Sequence, residues 1–85
     1  MLMIERFYSY LKNERRLSKH TLVAYKNDLE QFSGFLSELE IGILEVKDVE
    51  VRSWLVELLE QGIAQRSINR KLSAVKSFYR FLTQQ

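Results

Sequence analysis

The sequence predicts an all-α fold, a bundle of four helices, and three observations carry that prediction. Apolar residues recur at three- and four-residue spacings through most of the 85-residue chain, as they do in helices that bury one face. No stretch alternates with the two-residue period of a strand. Proline is absent and glycine occurs three times, so helices can run long and each break is marked.

The elements follow in order. Ile4, Phe7, Tyr8 and Leu11 define a first helix over residues 2–14, fading in the basic Asn13-Glu14-Arg15-Arg16 stretch. Ser18 is placed to cap a second helix, because its hydroxyl can accept from a first-turn N–H that lacks a helical partner. Leu22, Tyr25, Leu29, Phe32, Leu36 and Leu39 form one stripe, so this helix runs over 19–39. Gly34 lies off the stripe, tolerated or marking a close approach. Residues 40–47 form a connection whose Ile41, Ile43, Leu44 and Val46 are expected to plug the core. Asp48 is the expected cap of a third helix, with Val51, Trp54, Leu55, Leu58 and Leu59 on its inner side. Gly62 ends that helix in the left-handed conformation. Ser67 is expected to cap the fourth, whose inner stripe is Ile68, Leu72, Val75, Tyr79 and Leu82. Short connections around the third helix favour packing as helical hairpins.

Composition narrows the function classes. The length suits one small domain with a single core. With no cysteine there is neither a disulfide framework nor a thiolate metal site, and His20 alone does not make a zinc site. No cofactor is implied. No apolar run approaches the ~20 residues that span a bilayer, and no signal-peptide pattern opens the chain, so an intracellular protein without membrane association is expected. Glycine-rich phosphate loops, HExxH and nucleophile–base arrangements are all missing; Tyr25 and Tyr79 lie on apolar stripes that favour packing, and Tyr8 and Tyr10 of the first helix have no partner suggestive of activation. The chain by itself is not expected to be an enzyme.

Charge is informative because it is segregated. Residues 1–27 carry a net +4, residues 28–60 a net −7, and residues 61–85 a net +5 with no acid, within a total of +2. On the fourth helix Arg66, Asn69, Arg70, Ser73, Lys76, Ser77 and Arg80 fall opposite the apolar stripe. Arg can engage phosphate or guanine, Asn can pair with adenine, and Ser or Lys can hold phosphates. The start of the second helix adds Ser18, Lys19, His20 and Lys26, beside first-turn N–H groups and a positive dipole end. Arg15 and Arg16 extend this patch. A basic amphipathic helix can also lie on an anionic membrane, but here the apolar face is needed for the core. The acidic middle is read as a solvated face or, alternatively, as a protein–protein interaction surface.

Two stretches carry a resemblance. Ser18-Lys19-His20-Thr21-Leu22-Val23-Ala24-Tyr25-Lys26-Asn27-Asp28-Leu29-Glu30-Gln31-Phe32, then Phe35-Leu36, resembles the S-x-x-T-x-x-x-Y-x-x-D-L-x-x-F-x-x-F-L segment of tyrosine recombinases. Val51-Arg52-Ser53-Trp54-Leu55, followed by the run from Arg66 to Leu82, resembles the R-S-x-x-R-x-L-S-x-x-[KR]-x-F-Y-x-F-L element of the same proteins. The match spans essentially the whole chain and is closest to bacterial Xer-type recombinases and related integrases. It implies an N-terminal core-binding, SAM-like domain over residues 1–85, built of two roughly orthogonal helical hairpins. In that family the domain clamps a double-stranded DNA half-site through its second and fourth helices, here residues 18–27 and 66–77.

The candidate contacts are therefore Ser18, Lys19, His20, Lys26, Arg66, Ser67, Asn69, Arg70, Ser73 and Lys76. Arg70→Ala and Lys76→Ala are expected to weaken duplex binding without unfolding the domain. The resemblance also implies a separate catalytic domain, bearing the tyrosine nucleophile, to which nothing here corresponds. Further implied partners are that domain and other recombinase protomers on DNA, in a bacterial cytoplasmic, nucleoid-associated setting. Phe81 falls off the inner stripe and is expected to be exposed, for packing against the linker or catalytic domain. Phe7, Tyr8 and Tyr10 are assigned either to protomer contacts or to an ordinary core edge.

Overall fold

The computed structural model describes residues 2–84 as four α-helices: α1 Leu2–Asn13, α2 Lys19–Glu38, α3 Asp48–Glu60 and α4 Gln65–Thr83. A single 3-10 turn, Ile43–Glu45, lies between α2 and α3, and no strand occurs among the described residues. Gln84 follows α4; Met1 and Gln85 lie outside the described residues.

The helix ends show which local chemistry prevails. Ser18 has extended backbone angles and its hydroxyl accepts from the Thr21 N–H at 3.2 Å, capping α2 as expected. Asp48, by contrast, is the first residue of α3 and not its cap. Lys47 holds the cap position, and its N–H donates to the Glu50 carboxylate at 2.6 Å. Asp48 and Glu50 then both sit in the first turn, where the helix dipole favours negative charge. Ser67 also fails as a cap. Gly62 reverses the chain at φ +84°, and α4 is under way from Gln65 with Ala64 at its cap position.

Two helices end in the same hydrogen-bonded turn. After α3, the Ile63 N–H donates to the Leu58 carbonyl and the Gly62 N–H to that of Leu59, at 3.1 and 3.0 Å. After α2, Ile41 donates to Leu36 and Glu40 to Ser37, at 3.0 and 3.1 Å. There the left-handed position, φ +57°, is filled by Glu40 and not by glycine.

α2 and α4 each pack against all three other helices, and α1 and α3 flank them. The Cα framework measures 35 × 27 × 17 Å, and its short axis admits only about two helix layers. Even these central helices therefore keep an outer face. An aromatic run threads the core through all four helices. Trp54 meets Phe32 at 5.0 Å between centroids, Phe32 meets Tyr79 at 6.4 Å, and Tyr79 meets Phe78 at 5.2 Å. Phe78 then meets Phe7 at 5.5 Å, Phe7 meets Phe81 at 5.4 Å, and Phe81 meets Tyr10 at 4.9 Å. Every step lies within the range of favourable ring pairs.

That run corrects the expectation for Phe81, which is buried because α1 folds across the end of α4. The same contacts make Phe7 and Tyr10 part of the core. Leu39, Leu44 and Leu59 go the other way and are exposed. Leu39 falls at the reversal after α2, Leu44 in the 3-10 turn, and Leu59 on the outer side of α3. Ile41, Ile43 and Val46 do pack against the core, and the Tyr79 hydroxyl donates to the Ile43 carbonyl at 2.6 Å, tying the connection to α4.

Candidate nucleic-acid interface

α4 is amphipathic, but its inner face is wider than one apolar stripe. Ile68, Lys71, Ala74, Val75, Phe78 and Phe81 are buried, with Leu72, Tyr79 and Leu82 half-buried beside them. The outer face carries a line at alternating three- and four-residue spacing, Arg66, Asn69, Ser73, Lys76 and Arg80, all exposed, with Arg70 exposed beside it. None of the cations in that line is ion-paired among the described residues. Asn69 accepts from the Gln65 side-chain amide at 3.0 Å, so its own amide group is free to donate.

The outer start of α2 is basic as well. Lys19 and His20 are exposed in its first turn, and Lys26 is exposed with its ammonium 5.3 Å from the centre of the Tyr8 ring. Ser18 is exposed, but its hydroxyl already accepts from Thr21 and donates to the Thr21 hydroxyl at 2.9 Å. Ser67 is half-buried in the first turn of α4. Arg15 reaches the same side of the molecule, sharing a small cleft with Ser77 and Arg80.

The first acid after the basic segment of α2 is Asp28, and the fold removes it from the surface. Asp28 is 0 % exposed. Its Oδ2 accepts from Arg70 Nε at 2.8 Å, and its Oδ1 accepts from Arg70 Nη2 and Lys71 Nζ, each at 2.9 Å. Lys71 is itself buried and donates further to Gln31 at 2.6 Å. The bidentate bond to the carboxylate raises the already high pKa of Arg70. This network joins α2 to α4. Residues 18–27 and 66–77 themselves contain no acidic side chain, and the acid that follows the first of them is buried.

Arg70 therefore has a second duty that the sequence reading missed. Its side chain remains 41 % exposed, yet its guanidinium is half of what satisfies a buried carboxylate. Arg70→Ala is accordingly not a pure binding variant, since it strips a cation from Asp28 and disturbs the α2–α4 contact. Lys76 has no such partner among the described residues and is the cleaner probe. The available signal was the position of Asp28 and Lys71, each three or four residues from stripe residues on helices expected to pack.

Other chemistry has little to work with. Among the described residues no three His, Asp or Glu side chains gather as a metal site, and no helix is long and apolar enough to cross a membrane. A helical unit with donors and unpaired cations on one face is chemically matched to a polyanion.

Over residues 4–85 the chain matches the family described as phage integrase, N-terminal SAM-like domain, and it belongs to that family. Its relatives include tyrosine recombinase XerD of Rickettsia bellii, 39% identical over 82 residues that make up 96% of this chain and 27% of that protein. Tyrosine recombinase XerC of Oceanobacillus iheyensis is 45% identical over 95% of this chain and 27% of its own length. XerC of Listeria innocua is 42% identical over 92% of this chain and 26% of its own length. The chain thus spans about a quarter of the length of these relatives. No solved structure matches it at a significant level. The all-α, SAM-like fold expected from the sequence is the fold of the family.

Proposed function

We propose that this chain is the DNA-binding N-terminal domain of a site-specific tyrosine recombinase, holding one duplex half-site through residues 18–27 of α2 and 66–77 of α4. The observation that carries this reading is that two basic segments without an acid lie on packed helices, joined through Asp28 buried beneath Arg70 and Lys71. Arg66, Arg70, Lys76, Lys19 and Lys26 supply the charge, and Asn69, Ser73 and His20 supply hydrogen-bonding groups between them. Strand breakage and rejoining belong, in this reading, to a catalytic domain in the part of such recombinases that the chain does not cover. That domain and other protomers on DNA are its protein partners.

Titration of the chain with a short duplex of arbitrary sequence tests the reading. Amide shifts are expected to move on residues 18–27 and 66–77. With about five phosphates contacted, log K should fall against log salt with a slope near −4.5. Lys76→Ala should reduce that slope by about 1 with the thermal midpoint unchanged. Shifts confined to α3 would overturn the assignment.

They would favour a second reading, a protein-interaction module, for which one observation speaks. The outer side of α3 exposes Val49, Val56 and Leu59 among Asp48, Glu57 and Glu60. An acidic surface with apolar anchors suits a basic protein partner.

A further inference from the structure

We infer that Asp28 is a positioning residue, holding the Arg70 guanidinium in one orientation at the outer face of α4, ready for an acceptor on the nucleic acid. The inference rests on the DNA-binding reading and deepens it. Asp28 cannot touch a duplex itself, being fully buried. Its carboxylate takes the Nε–H and one Nη2–H of Arg70, a fork that fixes the plane of the guanidinium. Three of the five N–H donors of Arg70, both on Nη1 and one on Nη2, have no partner among the described residues, on a side chain that is 41 % exposed.

Lys71 makes this arrangement more than an ordinary ion pair. A carboxylate bound by Arg70 alone would cancel the charge it positions. Here the buried Lys71 ammonium, 2.9 Å from Oδ1, neutralises Asp28 from the inner side, and Gln31 holds Lys71 in place. Two cations and one anion leave a net +1, and the exposed member of the trio is Arg70. The site thus presents a full positive charge on a side chain whose rotamer freedom has already been lost. Ordering a free arginine on binding would cost affinity that this one does not lose.

The test exploits opposite signs. Asp28→Asn keeps the shape of the residue but raises the net charge by one, so general electrostatics predicts tighter duplex binding. Positioning predicts about three- to tenfold weaker binding while Arg70 is present. In an Arg70→Gln background the same Asp28→Asn change should instead tighten binding, because only the added charge then counts. Asp28→Asn binding as tightly as the unaltered chain, or more tightly, with Arg70 in place would overturn the inference, leaving Asp28 a purely stabilising role. Should Asp28→Asn fail to fold, the Arg70 Nε–H resonance of the unaltered chain decides. It should be sharp and slow to exchange in the free protein, and should shift with the duplex titration. An Arg70 signal that stays still while neighbouring amides move would also overturn it. No salt-dependent binding by the unaltered chain would overturn the DNA-binding reading itself, and the inference with it.

Discussion

Tyr79 shows how much one hydroxyl can be asked to do. It lies against Phe32 and Phe78, and its O–H reaches out of the apolar layer to the Ile43 carbonyl. Burial disfavours the phenolate and pushes its pKa up from 10.0 to about 12. The sign of the pH effect follows. Above pH 10 the unfolded chain gives up this proton while the folded chain keeps it, so stability is lost as pH rises through the window to about 12. Urea unfolding at pH 9 and pH 11 should show a smaller loss for Tyr79→Phe than for the unaltered chain. At neutral pH that variant should be about 1 kcal/mol less stable, from the lost hydrogen bond. At this scale the sequence was partly legible. An edge hydroxyl on a core tyrosine follows from the stripe it sits on. Burial of Asp28 and Lys71 does not, because an apolar-periodicity argument passes over charged residues, and only a facing helix reveals that their charges meet.

Helices were legible as elements because 3.6-residue periodicity is written within each segment, whereas their ends depend on the turns that join them. Gly34 and Gly62 separate the two cases. Gly34 sits exposed in α2, and a Cβ added there would meet nothing within 4 Å. Gly34→Ala should therefore stabilise the chain by about 0.5–1 kcal/mol, since only unfolded-state freedom is removed. Space is equally open at Gly62, but its φ of +84° is strained for any L side chain. Gly62→Ala should destabilise by about 1 kcal/mol. Glu40 occupies the matching position after α2 at φ +57°, so Glu40→Gly should be neutral or stabilising. Thermal melts of the three variants check all three signs. The Glu40 turn was the harder one to read, because the sequence offers no glycine there to announce it.

At the scale of the whole molecule, the order of the elements and the segregation of charge were both visible in the sequence. The partnership of α1 with α4 was not. Phe81 looked spare because it falls off the apolar stripe of α4; a residue from the first dozen covers it instead. In the candidate interface the same blindness to a distant helix hid the added structural duty of Arg70, which Lys76 does not share.

The aromatic run also has a bearing on how long the folded state lasts. Phe7 and Phe81 are seventy-four positions apart in sequence, so their contact closes almost the entire chain into a loop. Closing so long a loop carries a larger entropic cost than forming the local pairings of α3 with α4, and it is favoured late. A contact made after the folding barrier is felt mainly when it is broken. Phe7→Leu should weaken the seam by about 1–2 kcal/mol, and stopped-flow kinetics should find most of that in a faster unfolding rate, with refolding little changed. The docking of α1 would then act as a latch on the native state, setting its lifetime more than its speed of formation.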